Sequence, residues 1–227
     1  MAGLFFVKSF EEDFWLKTLK GKKKARFQSL QNIMETGEIR PNTKSFGKQS
    51  RLACSIINQN YLGTYRSQGI IFQTKAEPDL VYPFDLVLLT DAKKIIVQYY
   101  RIKNKLGDYY AHKLIKGSEK FVFKSFEEML KAYPSAKALW TAVNKFRQKA
   151  GYQPLPEAKK RLVGYCEAIF HRPIKIKPVA IYGYTKLSRQ IAKKYGLPHV
   201  LSAKKFYQQT QKKPRQKARR PRRRKII

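Results

Sequence analysis

Between Lys212 and Lys225 this chain of 227 residues carries ten lysines and arginines, two prolines, no acid and, apart from Ala218, nothing apolar. Such a segment has nothing to bury and repels itself, so it reads as a disordered arm that orders only against an acidic partner. Any fold must close in the residues before it. Removing those ten charges from the formal net charge of +34 leaves +24 on the remainder, so the body is basic as well. Yet 43% of the residues are hydrophobic and 13% aromatic, too apolar for a disordered polycation and enough for a real core. A folded body of this charge calls for an acidic partner, and nucleic acid, DNA or RNA, is the first expectation.

Two cysteines, Cys54 and Cys166, are too few for a disulfide framework and fit a reducing compartment. No apolar run approaches the roughly 18 residues of a spanning helix, and the stretch 1–7 is too short for a signal peptide. The expectation is a cytoplasmic, nucleic-acid-associated protein without a membrane partner. There is no internal repeat and no Gly/Ser or Pro linker. Residues 1–21 are expected to hold an N-terminal helix, 22–207 one domain, and 208–227 the basic tail.

Helix signals are frequent. Ser9 with Glu12 has capping-box spacing, followed by Phe14, Leu16 and Leu19 and a stop at Gly21. A second helix is predicted over 27–36, ended by Gly37. Ser125 with Glu128 opens another through Lys131, and Ser135 caps one whose stripe is Leu139, Trp140, Val143 and Phe146, ended by Gly151. The last follows Thr185 and stops at Gly196 and Pro198. Strand-rich runs are 69–74, 80–89, 94–102, 120–123, 162–170 and 175–182. A turn at 90–93 is expected to join 80–89 to 94–102, and 162–170 is expected to pair with 175–182 around Arg172-Pro173. The order gives a mixed α+β fold, not a doubly wound sheet.

Most catalytic motifs fail. Gly47-Lys48 is followed by Gln49, and Asn42 stands where a phosphate loop needs its first glycine. Cys54, His112, Cys166, His171 and His199 have no zinc-ligand spacing, so no metal site is expected. Nothing resembles a nucleophile elbow. Pro78-Asp79 with Asp91-Ala92-Lys93 has the outline of a metal-dependent nuclease site, but the second acid and the lysine fall at an expected turn.

Aromatics interleaved with cations suggest stacking of bases and pairing of phosphates. One cluster is Tyr61, Tyr65 and Arg66; a longer one runs through Tyr99, Tyr100, Arg101, Lys103, Lys105, Tyr109, Tyr110 and Lys113. In the arm, Lys212, Lys213, Arg215, Arg219, Arg220, Arg222, Arg223 and Arg224 are the candidate phosphate contacts.

Residues 161–197, RLVGYCEAIFHRPIKIKPVAIYGYTKLSRQIAKKYGL, contain a strand with Glu167-Ala168-Ile169-Phe170, a polar turn at 171–175, a second strand and a helix. This succession resembles the C-terminal core of the DarT-type DNA ADP-ribosyltransferases. The segment Leu30–Gly37 resembles that family's short helix ending in glycine, residues 86–91 its central apolar strand, and Phe121-Val122-Phe123 the run before a helical segment. The resemblance touches most of 22–200, with the Glu167 block its specific part. It implies a split, two-sheet ADP-ribosyltransferase fold with NAD as the cofactor. Glu167 would be catalytic, gripping the nicotinamide ribose and stabilising the charge that builds as nicotinamide leaves. The acceptor would be an unpaired or flipped base. Arg26, Arg51 and Tyr65 would contact the cofactor. The segment 151–165, with Tyr152, Lys159 and Lys160, followed by Arg161, would hold the polynucleotide.

The chain departs from that family on the cofactor side. Residues 22–26 lack the His and Thr expected in its first strand, with Arg26 a substitute, and only 41–52 stand where the family has a long NAD-binding loop, with Arg51 as the pyrophosphate candidate. The resemblance is therefore compatible with two outcomes. One is an NAD-dependent transferase with an antitoxin-like opposing partner. The other is a non-catalytic basic subunit that clamps RNA or DNA in a larger ribonucleoprotein or nucleoprotein complex.

Overall fold

The computed structural model describes residues 4–9, 30–41, 51–64, 67–91, 97–103 and 109–211. Its centre is a seven-stranded mixed sheet assembled from segments far apart in the chain. These are β1 (Phe5–Ser9), β3 (Leu52–Ile57), β4 (Gly69–Gln73), β5 (Leu80–Tyr82), β8 (Cys166–Phe170), β10 (Lys177–Tyr182) and β11 (His199–Val200). Their spatial order is β11-β10-β4-β1-β3-β8-β5. All neighbouring pairs are antiparallel except β10 with β11. Two small sheets accompany it, β2 (Glu38–Ile39) with β9 (Ile174–Lys175), and the hairpin of β6 (Val97–Lys103) with β7 (Tyr109–Ile115).

Side chains alternate across the sheet as the pleat requires. One face gives Phe6, Leu52, Cys54, Ile56, Ile70, Phe72, Cys166, Ala168, Phe170 and Ile181 to the main core. Four helices cover that face: α1 (Leu30–Thr36), α2 (Phe126–Ala132), α3 (Ala136–Lys149) and α4 (Lys186–Lys194). They contribute Leu30, Ile33, Phe126, Met129, Leu139, Val143, Ile191 and Ala192. The opposite face is covered in two patches. At one end Val7, Ile57, Ile71, Ala180 and Tyr182 pack under Val200 and under Ala203 and Phe206 of α5 (Ala203–Gln211). At the other, Leu80, Tyr82 and Ile169 cluster with Leu86 and Val122.

Local chemistry explains the helix ends. Ser125 Oγ accepts from Glu128 N at 3.1 Å while Glu128 Oε2 accepts from Lys124 N at 2.9 Å, a reciprocal cap at α2. Ser135 and Thr185 cap α3 and α4 through Ala138 N and Ser188 N. The stops at Gly37, Gly151 and Gly196 fall at glycines with φ of 63°, 79° and 63°.

Several sequence expectations are corrected. Residues 5–9, expected to belong to an N-terminal helical segment, form an inner strand of the main sheet; the helix expected after Ser9 lies outside the described residues. The run 80–89 is not one strand. Pro83 follows β5, residues Leu86–Leu89 form a 3-10 turn, and β5 pairs with β8 instead of making a hairpin with β6. The 120–123 run is a 3-10 turn at Glu119–Phe121 followed by an isolated bridge between Phe123 and Val81. Within 162–170, the part through Gly164 is 3-10 helix. The strands on either side of Arg172-Pro173 share a sheet but are not partners, because β3, β1 and β4 lie between β8 and β10.

Two ionic clusters, each built on one buried charged side chain, fix the irregular parts. Arg147 of α3 is 2% exposed; its guanidinium donates to Gln153 O at 2.7 Å, to Leu88 O at 2.8 Å and to Asp91 Oδ2. It thereby ties the 3-10 turn at 86–89 and the loop after α3 to one helix. Asp79 accepts from His171 N at 2.8 Å and from Arg172 Nη1 at 2.6 Å, holding the turn that leaves β8. Burial alone would raise the Asp79 carboxyl, but the His171 bonds and the Arg172 charge outweigh it and hold it below the usual 3.8. A depressed folded pKa means stability that is present above the unfolded value and lost as pH falls through the folded one. Asp79→Asn is expected to lower stability by about 3 kcal/mol at neutral pH. In urea melts at stepped pH, the gap to wild type should close as pH falls below the ordinary aspartate value; a gap independent of pH would contradict this role for Asp79.

Candidate functional site

The register places one row of residues across six strands on the face that α5 only partly covers: Ala180, Ile71, Val7, Ser55, Glu167 and Tyr82. The first three belong to the patch beneath α5, and Tyr82 belongs to the patch at the other end. Ser55 and Glu167, directly opposite each other on β3 and β8, are the polar interruption between the two apolar patches. Ser55 is buried, and its Oγ has no hydrogen-bond partner among the described residues. Glu167 is half-buried. An unmatched buried hydroxyl beside a carboxylate, in an otherwise apolar row, marks the floor of a polar seam.

The surroundings of Glu167 set its charge. Burial pushes its carboxyl above the ordinary 4.5 of a glutamate. The Arg51 guanidinium, just before β3, pulls it down; Asp85 pushes it up; the Tyr165 hydroxyl and Lys8 pull it down again. Tyr165 Oη donates to Glu167 Oε1 at 3.1 Å. Burial and the neighbouring Glu167 raise Tyr165 well above a normal phenol, so it stays protonated and remains a donor. Lys8 Nζ donates to Ala53 O at 3.1 Å. Both cysteines are buried; burial pushes the Cys54 thiol up to about 12 and Cys166 well above its usual value, so neither is a ready nucleophile.

A glycine contact holds the entry to this strand. Gly63 N donates to Gly164 O at 3.0 Å, and a Cβ on Gly63 would lie 2.7 Å from that same oxygen. The loop carrying Gly63 is braced by Asn58 Oδ1, which accepts from Asn60 N and Tyr61 N at 2.8 Å each, and by Tyr61 Oη, which donates to Tyr133 O at 2.8 Å. It also delivers Thr64 to Tyr182 Oη, which bonds Ser9 Oγ at 2.9 Å.

Of the residues expected at a cofactor site, Arg51 comes to Glu167, whereas Arg26 and Tyr65 lie outside the described residues. Arg66, Lys105 and the arm residues Lys212, Lys213, Arg215, Arg219, Arg220, Arg222, Arg223 and Arg224 lie outside them too. Tyr99, Tyr100, Arg101 and Lys103 fall on β6, in register with Lys113, His112, Ala111 and Tyr109 of β7. Tyr152 is half-buried, with Arg147 centred 5.8 Å from its ring, which gives that face a packing role. Lys159 and Lys160 are exposed; Lys160 pairs with Glu157 at 2.6 Å and lies 6.0 Å from the Trp140 ring. Arg161 follows them in the 3-10 helix Glu157–Gly164. The nuclease-like acids are engaged elsewhere, Asp79 with Arg172 and His171 and Asp91 with Arg147. Among the described residues no three His, Cys, Asp or Glu side chains gather as a metal site.

Ser55, Tyr165, Asp85 and Lys8 were not singled out from sequence. Tyr165 lies two residues before Glu167, the spacing that puts strand side chains on one face, and Ser55 is the lone polar residue of Leu52–Ile57; both signals were available. Lys8 and Asp85 approach only through the fold. Compared with protein-family models, curated proteins and solved structures, the chain matches none of them.

Arg51 and Tyr165 both favour the ionised carboxylate, so Arg51→Gln and Tyr165→Phe should each move the Glu167 titration to higher pH. Carboxyl carbon NMR of the labelled protein reads this directly. A downward or absent movement in both variants would dissolve the cluster as described.

Proposed function

We propose that this chain transfers ADP-ribose from NAD to a nucleic-acid base, with Glu167 as the catalytic carboxylate. The observation that carries the reading is the Ser55–Glu167 pair on the sheet floor, flanked by Tyr165 and Arg51. These groups suit the substrate's chemistry. A half-buried carboxylate and an unmatched hydroxyl can bind ribose hydroxyls, and Arg51 offers a cation for the pyrophosphate. In the transfer, the bond from ribose carbon to the nicotinamide nitrogen breaks and its electron pair leaves with nicotinamide. A nucleophilic base nitrogen forms the new bond and gives up its proton. Ionised Glu167 stabilises the positive charge on the ribose between those events. The net charge of +34 favours a polynucleotide acceptor.

The binding-only reading has its own support. The segment 22–26 contains no histidine, and a turnover enzyme so basic would release a polynucleotide slowly. In that case Glu167 is an acid balanced by Arg51 on the floor of a nucleic-acid clamp.

Labelled NAD, incubated with the protein and its co-purifying nucleic acid, separates these readings. Label should pass to the nucleic acid with wild type and fall at least a hundredfold with Glu167→Ala, since single preorganised charges typically contribute about that much. Nucleic acid that stays bound but unlabelled with wild type would exclude the transferase and leave the clamp. Because Glu167 must be ionised and its pKa is raised, the acidic limb of the transfer rate should lie above the usual glutamate value, activity rising with pH through it.

A further inference from the structure

Glu167 is the last acid in the chain. The sixty residues after it hold 19 lysines and arginines and no aspartate or glutamate. The fold gathers the described part of this acid-free stretch at one border of the sheet. There β11 is the outermost strand, and α4 and α5 both pack against it, α4 toward the main core and α5 toward the opposite face. Lys186, Arg189 and Lys193 recur at the spacing of one helical face, all exposed, while Leu187, Ser188, Ile191 and Ala192 turn inward. Along α4 the three cations span about 10 Å. Among the described residues none of them has an ion-pair partner. A border of this kind is matched by a polyanion and by little else.

One aromatic residue lies beside those cations. Tyr184, at 63%, is the one large hydrophobic side chain that is strongly exposed among the described residues. The backbone beneath it is tightly fixed. Gly183 N donates to Val200 O at 3.0 Å, and Gly183 has φ 150° with no room for a Cβ, which would meet Gln68 Cβ at 2.9 Å. On the other side, Thr185 caps α4 and reaches Gln68 Oε1 at 3.3 Å. A ring held out on such a turn costs little ordering entropy when a planar partner stacks on it.

We infer that this border is the docking surface for a single-stranded nucleic acid, with a base stacked on Tyr184 and phosphates on Lys186, Arg189 and Lys193. The inference rests on the nucleic-acid partner proposed above, but not on transfer chemistry. Stacking distinguishes a single strand from a duplex, whose bases are already stacked on one another.

The test uses the full chain without NAD, so failure of the transferase reading leaves its result intact. Fluorescence anisotropy of a labelled single-stranded oligonucleotide of mixed sequence is followed across a salt series. Tyr184→Ala should weaken binding about tenfold, and Tyr184→Phe, which keeps the ring, should restore it. The triple variant Lys186→Gln, Arg189→Gln, Lys193→Gln should make the slope of log K against log salt shallower by about 2. The arm's ten cations act alike in every variant, and all the changed side chains are exposed, so differences report on α4. Tyr184→Ala binding like wild type, an unchanged slope in the triple variant, or equal competition by a duplex of the same length would each overturn the assignment.

Discussion

The antiparallel register between β3 and β8 determines what every other part of the site can do. Ser55 faces Glu167 because Leu52 pairs with Phe170 and Ile56 with Cys166. Strand side chains alternate with a period of two, so a slip by one residue would turn Glu167 into the helix-covered core and bring Cys166 or Ala168 to the seam. That alternative costs too much to compete. It would bury a carboxylate among Phe6, Cys54 and Phe170 and expose apolar side chains in exchange. The apolar content of β3 and β8 therefore does more than stabilise the sheet; it decides on which side the one acid of β8 emerges.

Four of the described acids divide between two tasks. Asp79 and Asp91 neutralise arginines at irregular joints, where a turn or a 3-10 segment leaves carbonyls and guanidinium groups to be satisfied together. At Glu167, burial and Asp85 instead raise the cost of ionisation, with Arg51, Tyr165 and Lys8 in opposition. A structural pair is held close to neutrality by geometry. A seam with two acids, the Arg51 guanidinium and a protonated tyrosine retains charge that a ligand can complete.

Much of the helical layer was legible in the sequence. Caps at Ser125, Ser135 and Thr185, and stops at Gly37, Gly151 and Gly196, are local chemistry and can be read without knowing what the helices pack on. The sheet was legible in composition but not in pairing. The runs at 69–74 and 175–182 show as apolar strands, yet nothing local says that they are partners of each other, with Ile70 beside Ile181. Strand β1 was missed because five residues, FFVKS, carry too short a pattern to outweigh the capping signal that follows. At the site, Glu167 and Arg51 came from a pattern resemblance, whereas Lys8 and Asp85 depend on contacts that only the folded sheet creates.

The position of β1 in the sheet has a kinetic consequence. This strand precedes β3 and β4 in the chain, yet it lies between them, and its Ser9 bonds Tyr182 across 173 positions of sequence. A topology so dominated by distant pairings closes slowly, since long loops must be ordered before their contacts repay the entropy. Through that interval the chain is an open polycation in the presence of whatever polyanion surrounds it. Any polyanion present can then neutralise repulsion among the very segments that have to meet, and so act on the chain while it folds.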